Sequence, residues 1–172
     1  MNNWILCTRD LNVRHDSVFI LKNINIRIPE NKVTVILGPS GCGKTTFLKC
    51  VNRLVDLYNG LHCEGSITLK NQEIFQSRNN LTAIRQKMGL LSQKPYPLPM
   101  SIFDNVAYGL KIQGIRKKSM VTQKVEFHLK QVGLWEEVKD RLHSPAVSLS
   151  IGQQQRLCLA RGLAVGPEII LA

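Results

Sequence analysis

The sequence predicts an α/β fold, and three observations support this prediction. Residues 33–37 form a short, almost continuous apolar and β-branched run, which is typical of a strand covered on both faces in a parallel sheet. A glycine-rich loop follows, and apolar side chains from Phe47 to Val55 then recur at the spacing of one helix face. Residues 169–172 form a second apolar run, which predicts another buried strand.

The segments between these runs alternate between strand, turn and helix signals. Residues 24–28 alternate apolar and polar side chains, which predicts a half-buried strand with one wet face. A β-rich stretch over residues 65–70 predicts a further strand, which ends at the turn-prone pair Asn71 and Gln72. The next expected elements are a small helix near residues 81–86 and a short strand over residues 88–91.

Residues 94–99 are predicted to form a loop. They contain three prolines, which remove backbone donors and exclude both a helix and a central strand. Ser101 and Asp104 have the spacing of a capping box, which predicts a helix over residues 102–112.

The region from residue 101 to residue 142 is predicted to be mainly helical. Apolar residues between Val121 and Val132 recur at about helical spacing, and Gly133 is a plausible end for that helix. A further helix is expected over residues 153–165.

The composition fits one globular domain, whose charge alone does not identify a partner. The 172 residues carry 23 Lys and Arg against 12 Asp and Glu, a formal net charge of +11. This balance suits a nucleic acid, a phosphorylated ligand or an anionic membrane surface, but no arginine-rich run or aromatic-interleaved basic stripe supports nucleic acid. We therefore expect no nucleic-acid partner.

The cysteines and the apolar runs predict a cytosolic location. The five cysteines are odd in number and never spaced C-x-x-C, which favours reduced thiols over a disulfide framework or a zinc site. No stretch approaches the roughly 18 apolar residues of a membrane span, and the first residues lack the pattern of a signal peptide.

Residues 38–46 read GPSGCGKTT and fit the pattern G-x-x-x-x-G-K-[ST] between a predicted strand and a predicted helix. Glycines let backbone N–H groups turn inward toward phosphate oxygens, and the following helix adds the positive end of its dipole. Lys44 is expected to reach the β- and γ-phosphates, and the Thr45 hydroxyl to bind magnesium. The predicted nucleotide-binding residues are Gly38, Pro39, Ser40, Gly41, Cys42, Gly43, Lys44, Thr45 and Thr46.

Residues 149–157 read LSIGQQQRL and resemble the signature sequence L-S-G-G-Q of ATP-binding-cassette (ABC) ATPases. In that family, the signature of one subunit closes over the γ-phosphate held by the glycine loop of another. The resemblance implies that Ser150, Gly152 and Gln153 bind nucleotide across a homodimer. A serine hydroxyl and glycine amides at a helix N-terminus suit an anion, but the same residues also fit a simple helix cap.

Residues 93–109 read QKPYPLPMSIFDNVAYG and resemble the Q-loop and its continuation in the ATP-binding subunits of bacterial phosphate importers. In ABC proteins, the glutamine of this loop approaches magnesium and the attacking water. The resemblance therefore implies catalytic roles for Lys44 and Gln93, with Thr45 and Gln93 serving the metal ion.

The resemblance covers essentially the whole chain and implies its fold, its ligands, its partners and its function. The fold would be a P-loop NTPase core of the ABC type, with an N-terminal antiparallel β portion and a helical subdomain over residues 93–145. The chain would be a single, incomplete nucleotide-binding domain that binds ATP and Mg²⁺. Its partners would be membrane permease subunits and a second nucleotide-binding subunit, on the cytoplasmic side of the plasma membrane. ATP hydrolysis would drive phosphate import.

Three departures from the family pattern bear on this picture. His15 stands near the place of an aromatic residue that stacks on adenine, although it also fits an ordinary loop position. Ile151 replaces the first signature glycine, and its β-branched side chain is expected to weaken closure of the signature. The sequence reaches Ala172 before the aspartate, glutamate and histidine that follow in the family. We therefore expect a truncated chain without ATPase activity of its own; the alternatives are an inactive ATP-binding module and an importer ATPase for another cargo.

Overall fold

The computed structural model describes residues 3–75 and 81–172 of the chain. These described residues divide into two compact units, a first unit that ends at Arg85 and a second unit that begins at Gln86. In the described part of the chain, no helix is both long enough and apolar enough to cross a lipid bilayer. The elements of the first unit are β1 (Trp4–His15), β2 (Val18–Ile24), β3 (Arg27–Pro29), α1 (Lys44–Val51), a 3-10 helix (Leu54–Leu57), β4 (Leu61–Leu69), β5 (Gln72–Glu73) and α2 (Leu81–Gln86), of which only the last residue falls in the second unit.

The second unit contains a short parallel sheet and a group of helices. Its elements are β6 (Met88–Leu90), α3 (Ile102–Ile112), α4 (Lys118–Gln131), α5 (Trp135–Val138), 3-10 helices at Lys139–Arg141 and Ala146–Ser148, α6 (Ile151–Ala164) and β7 (Ile169–Leu171).

An antiparallel sheet in the order β2-β1-β4-β5 dominates the first unit, with β3 also paired to β1. The predicted strand over residues 24–28 is divided, because β2 ends at Ile24 and β3 begins at Arg27. At this break the Thr8 amide donates to the Ile26 carbonyl oxygen at 2.8 Å, and the Ile26 amide donates to the side-chain oxygen Thr8 Oγ1 at 3.0 Å. The predicted alternation survives the break, with Asn25 exposed and Ile28 buried.

Strand β4 confirms the predicted strand at residues 65–70, but it begins four residues earlier, at Leu61. Its first half pairs with β1 through polar residues, such as His62 opposite Arg14, that give no apolar pattern. The predicted turn at Asn71 and Gln72 lies one residue earlier, because Gln72 already belongs to β5. Lys70 and Asn71 both have positive φ, 46° and 64°, as a tight two-residue hairpin turn requires.

The predicted buried strand over residues 33–37 is wrong for this structure. The segment forms no strand, and the side chains of Val33 and Leu37 are 93% and 87% exposed. A β-branched run favours extended backbone, but a strand exists only where a neighbouring strand accepts its hydrogen bonds. None of the strands that the structure describes pairs with this segment.

The second unit confirms the predictions made for its strands and helices. Strands β6 and β7 are parallel, with Met88 opposite Ile169 and Leu90 opposite Leu171. Helix α4 buries Val121, Val125 and Leu129 on one face, and the chain leaves it through Gly133 with φ 64°. Helix α6 begins at Ile151, two residues before the predicted start, because Ser150 caps it. Residues 94–99 form neither helix nor strand.

The Asp104 carboxylate stabilises the first turn of α3. Ser101 Oγ accepts from the Asp104 amide at 3.0 Å, which confirms the predicted cap. Lys111 Nζ donates to Asp104 Oδ1 at 2.8 Å and Ser101 Oγ to Oδ2 at 2.7 Å, and these bonds hold the pKa of Asp104 below its ordinary 3.8. A carboxyl whose pKa is lower in the folded than in the unfolded chain stabilises the fold above the unfolded pKa. This stabilisation disappears as pH falls through the folded pKa.

Asp104→Asn is therefore expected to destabilise the protein most at neutral pH. At pH 7 we expect a loss of about 0.5 kcal/mol, since the pair is largely exposed and screened by solvent. Urea unfolding of both proteins at pH 7 and at about pH 2.5 measures the difference, which should shrink on acidification. A difference that is equal at both pH values would contradict this role.

Candidate functional site

The glycine loop over residues 38–46 leads directly into α1, which begins at Lys44. Gly41 and Gly43 have φ of +81° and +93°, in the left-handed region that favours glycine. Gly43 also packs closely on β2, because a Cβ at this position would lie 2.7 Å from Leu21 Cδ2 and 3.2 Å from the Ile20 carbonyl oxygen. The conformation and the close approach together require glycine here.

The Lys44 side chain folds back over this loop. Its Nζ donates to the carbonyl oxygens of Gly38 at 2.8 Å and Pro39 at 2.7 Å, and lies 3.7 Å from Cys42 Sγ. A flexible ammonium group held by neutral carbonyls is able to exchange them for anionic oxygens, which make stronger charge-assisted hydrogen bonds. The loop therefore combines a mobile cation with the N-terminal amides of a helix, as a phosphate ligand requires.

The other predicted residues of the loop are open to solvent or begin α1. The buried apolar side chains of α1 are Phe47, Cys50 and Val51. Their burial fixes the direction in which the N-terminus of the helix points. The exposed members of the loop are Gly38, Pro39, Ser40, Gly41, Cys42 and Thr45, while Gly43, Lys44 and Thr46 are half-buried.

His15 lies at the end of β1, opposite Val18 and Leu61. Its Nδ1 is 3.3 Å from Asp16 Oδ2, and its side chain is 57% exposed. Exposure leaves a ring face available for stacking, while the Asp16 contact is equally suited to an ordinary surface histidine. The stacking role of His15 stays a prediction.

The signature residues form the N-terminus of α6. The Ser150 side chain accepts from the Gln153 amide at 3.3 Å, and Gln153 Oε1 accepts from the Ser150 amide at 3.0 Å, completing a capping box. A Cβ at Gly152 would meet no atom within 4 Å, so the helix end is open on that side. Ile151 is 70% exposed and helical, and strain from a left-handed backbone therefore does not arise there.

An ionic contact holds this helix end to α5. Gln153 Nε2 donates to Glu137 Oε2 at 2.7 Å, and Arg156 Nη1 lies 2.7 Å from Glu137 Oε1. The hydrogen bond from Gln153, with help from Arg156, lowers the pKa of Glu137. Glu137 of α5 thereby holds the N-terminal end of the signature helix through Gln153 and Arg156.

The loop that carries Gln93 is anchored by a residue whose role sequence reasoning missed. Asn105 is completely buried, and its Oδ1 accepts from the Leu98 amide at 2.8 Å. Its Nδ2 donates to the carbonyl oxygens of Ser101 at 2.9 Å and Leu98 at 3.1 Å. Gln93 itself is exposed. A polar residue on the otherwise apolar face of α3 was the signal that could have identified this anchor.

Arg161 on α6 extends the anchor. Its guanidinium donates to the Tyr96 carbonyl oxygen at 3.0 Å and to Asn105 Oδ1 at 3.3 Å. Through these bonds α3 and α6 together fix the proline-containing loop after Gln93.

The predicted site residues fall into two sets. The glycine loop and His15 belong to the first unit, whereas Gln93 and the signature residues Ser150, Gly152 and Gln153 belong to the second. Within each set, the structure brings together the residues of the glycine loop and those of the signature cap.

Comparison with known proteins identifies relatives for most of the chain. It is 51% identical over 164 residues to phosphate import ATP-binding protein PstB 3 of Streptococcus pneumoniae. This alignment covers 92% of this chain and 66% of that protein. The chain is 46% identical over 167 residues to PstB 2 of Ligilactobacillus salivarius, covering 97% of this chain and 66% of the relative. The chain thus spans about two thirds of the length of these relatives.

Solved structures share the fold. The structure of cbiO1 from Clostridium perfringens, part of the ABC transporter complex cbiONQ, aligns with a TM-score of 0.82 at 27% identity, over 98% of this chain and 64% of that one. A bacterial Atm1-family ABC exporter with ATP bound aligns with a TM-score of 0.78 at 22% identity, over 96% of this chain and 28% of that one. These alignments confirm the predicted α/β fold of the ABC ATPase type.

The sequence profile of the ABC transporter family matches residues 21–172, which include the glycine loop, the Gln93 loop and the signature helix. The chain therefore belongs to the ABC transporter family.

Proposed function

We propose that this chain is the ATP-binding part of an importer ATPase that powers inorganic phosphate uptake. The observation that carries the proposal is the glycine loop, in which Lys44 lies over the loop at the N-terminus of α1. The relatives named as phosphate import ATP-binding proteins support phosphate as the cargo. Family membership implies ATP as the nucleotide.

The chain's own residues would act mainly by electrostatic positioning. Lys44 would exchange its carbonyl partners for the β- and γ-phosphates, while the amides over residues 38–46 hold the remaining phosphate oxygens. The exposed Thr45 hydroxyl and the Gln93 amide oxygen are hard oxygen donors of the kind that Mg²⁺ prefers. Bound Mg²⁺ would neutralise part of the phosphate charge.

The signature helix would act across a homodimer. Its open N-terminus, formed by Ser150, Gly152 and Gln153, suits the γ-phosphate held by a second nucleotide-binding subunit. We propose that this dimer lies on the cytoplasmic side of the plasma membrane as a peripheral partner of membrane permease subunits.

ATP is expected to protect Cys42 from alkylation. Cys42 is exposed within the glycine loop, whereas Cys7 on β1 is half-buried and belongs to the sheet. A ligand that covers the loop at about ten times its Kd should slow the Cys42 reaction by about tenfold. Timed iodoacetamide labelling with peptide mass spectrometry measures both sites.

Adenosine and Cys7 are the controls for this experiment. Adenosine has no phosphate for Lys44 or the loop amides, and it should leave the Cys42 rate unchanged. The Cys7 rate should be unchanged by either compound. Equal Cys42 rates with and without saturating ATP would refute the assignment of the loop.

A further inference from the structure

Two cysteines of the first unit, Cys50 and Cys63, face each other. Cys50 lies in α1 and is completely buried, and Cys63 lies in β4 and is half-buried. Their Sγ atoms are 4.0 Å apart. Since a disulfide needs about 2.05 Å between sulfur atoms, modest side-chain rotation and helix adjustment would bring them to bonding distance.

The two thiols differ in their exposure, since Cys50 is completely buried and Cys63 is half-buried. The contact with Cys63 and burial raise the pKa of Cys50, and Asp56 adds to this. The contact with Cys50 lowers the pKa of Cys63, against smaller opposing effects of burial and Asp56. The thiolate is the nucleophile in thiol oxidation, so the half-buried Cys63 is the group that meets an oxidant first.

We propose that Cys50 and Cys63 form a peroxide-reactive dithiol that closes to a reversible disulfide. The Cys63 thiolate attacks one peroxide oxygen, the O–O bond breaks, and the released hydroxide takes a proton to become water. Cys50 then attacks the sulfur of the Cys63 sulfenic acid, and its proton leaves with the hydroxyl group as a second water. Two thiols are oxidised by two electrons, and one peroxide is reduced to two waters.

The bond would join the helix of the glycine loop to the antiparallel sheet. Helix α1 carries Lys44 at its first residue and Cys50 near its last, while Cys63 on β4 is paired with Val13 on β1. The five cysteines, each within the described residues, form no disulfide in this structure. The proposed disulfide would be an oxidised form of this pair that a thiol reductant returns to two thiols.

The experiment is disulfide mapping of the intact 172-residue chain after treatment with hydrogen peroxide. Remaining thiols are blocked with iodoacetamide, and non-reduced peptides are analysed by mass spectrometry. We expect a Cys50–Cys63 linked peptide that dithiothreitol removes, exceeding every other pairing by about tenfold because these sulfur atoms already lie within reach.

Two variants and an unfolded sample make the result decisive. Cys158→Ser, on a helix of the second unit, should leave the linkage intact, whereas Cys63→Ser should leave Cys50 as a free thiol after the same treatment. Protein unfolded in urea before oxidation should give mixed pairings. The proposal is overturned if peroxide that already oxidises the exposed Cys42 gives no Cys50–Cys63 linkage, or if folded and unfolded protein give the same mixture.

Discussion

Replacing Asn105 with alanine is expected to destabilise the second unit by about 2–4 kcal/mol, the largest stability effect that we predict. The substitution removes the side-chain acceptor of the Leu98 amide and the side-chain donor to the carbonyl oxygens of Leu98, Met100 and Ser101. The partly buried Leu98 amide is left without this acceptor, whereas the Leu98 and Ser101 oxygens keep backbone donors. The substitution also removes the contact with Arg161 and opens a cavity at a completely buried position.

Tryptophan fluorescence can follow this unit alone. The chain has two tryptophans, Trp4 in the first unit and Trp135 in the second, so a Trp4→Phe background leaves only the second as reporter. Urea unfolding followed by Trp135 emission then compares the Trp4→Phe protein with the same protein carrying Asn105→Ala. In the variant the midpoint should fall, and the loop that carries Gln93 should become susceptible to proteolysis.

Asn25→Ala is the matched control. Asn25 makes a similar number of side-chain hydrogen bonds, to Asp10 and Asn23, but it is exposed and water can replace them. Its far-UV unfolding curve should shift by less than about 1 kcal/mol. An Asn105→Ala effect no larger than that of Asn25→Ala would mean that the buried amide does not anchor the loop.

Local signals in the sequence predicted the helices of the second unit well. Helix α3 follows from the Ser101 and Asp104 cap, and α4 from apolar spacing that ends at Gly133, because both depend on residues within a few positions of each other. The strand predicted before the glycine loop was wrong, because residues 33–37 have the composition of a strand but no described pairing partner.

No regular sequence pattern predicts β1, the strand at the centre of the antiparallel sheet. Its twelve residues do not alternate regularly, because the register with β4 shifts between Arg9 and Asn12, and Asp10 has φ 48°. A bulge of this kind changes which face the following side chains occupy, and a period-two pattern no longer identifies the strand.

The functional site likewise combines features that local sequence predicts with features that depend on the tertiary fold. The glycine loop and the signature are contiguous motifs, and their local geometry was predictable from a few residues each. The Asn105 and Arg161 anchor joins positions 56 residues apart, and only the packing of α3 against α6 brings them together. No local pattern contains that information.

The measurement that tests the central claim most directly is calorimetric titration of ATP, with magnesium, into the chain and into Lys44→Ala. The substitution removes the ammonium group that would exchange loop carbonyls for phosphate oxygens. A charge-assisted contact of about 1.5–3 kcal/mol corresponds to a Kd raised by about 10- to 100-fold.

Lys49→Ala is the control in the same titration. Lys49 lies on the same helix, but its Nζ is 4.2 Å from the centre of the Tyr58 ring rather than over the glycine loop. If the glycine loop holds the nucleotide, Lys49→Ala keeps the Kd of the unchanged protein within about twofold, while Lys44→Ala weakens binding by at least about tenfold. Equal Kd values for Lys44→Ala and the unchanged chain would contradict the account.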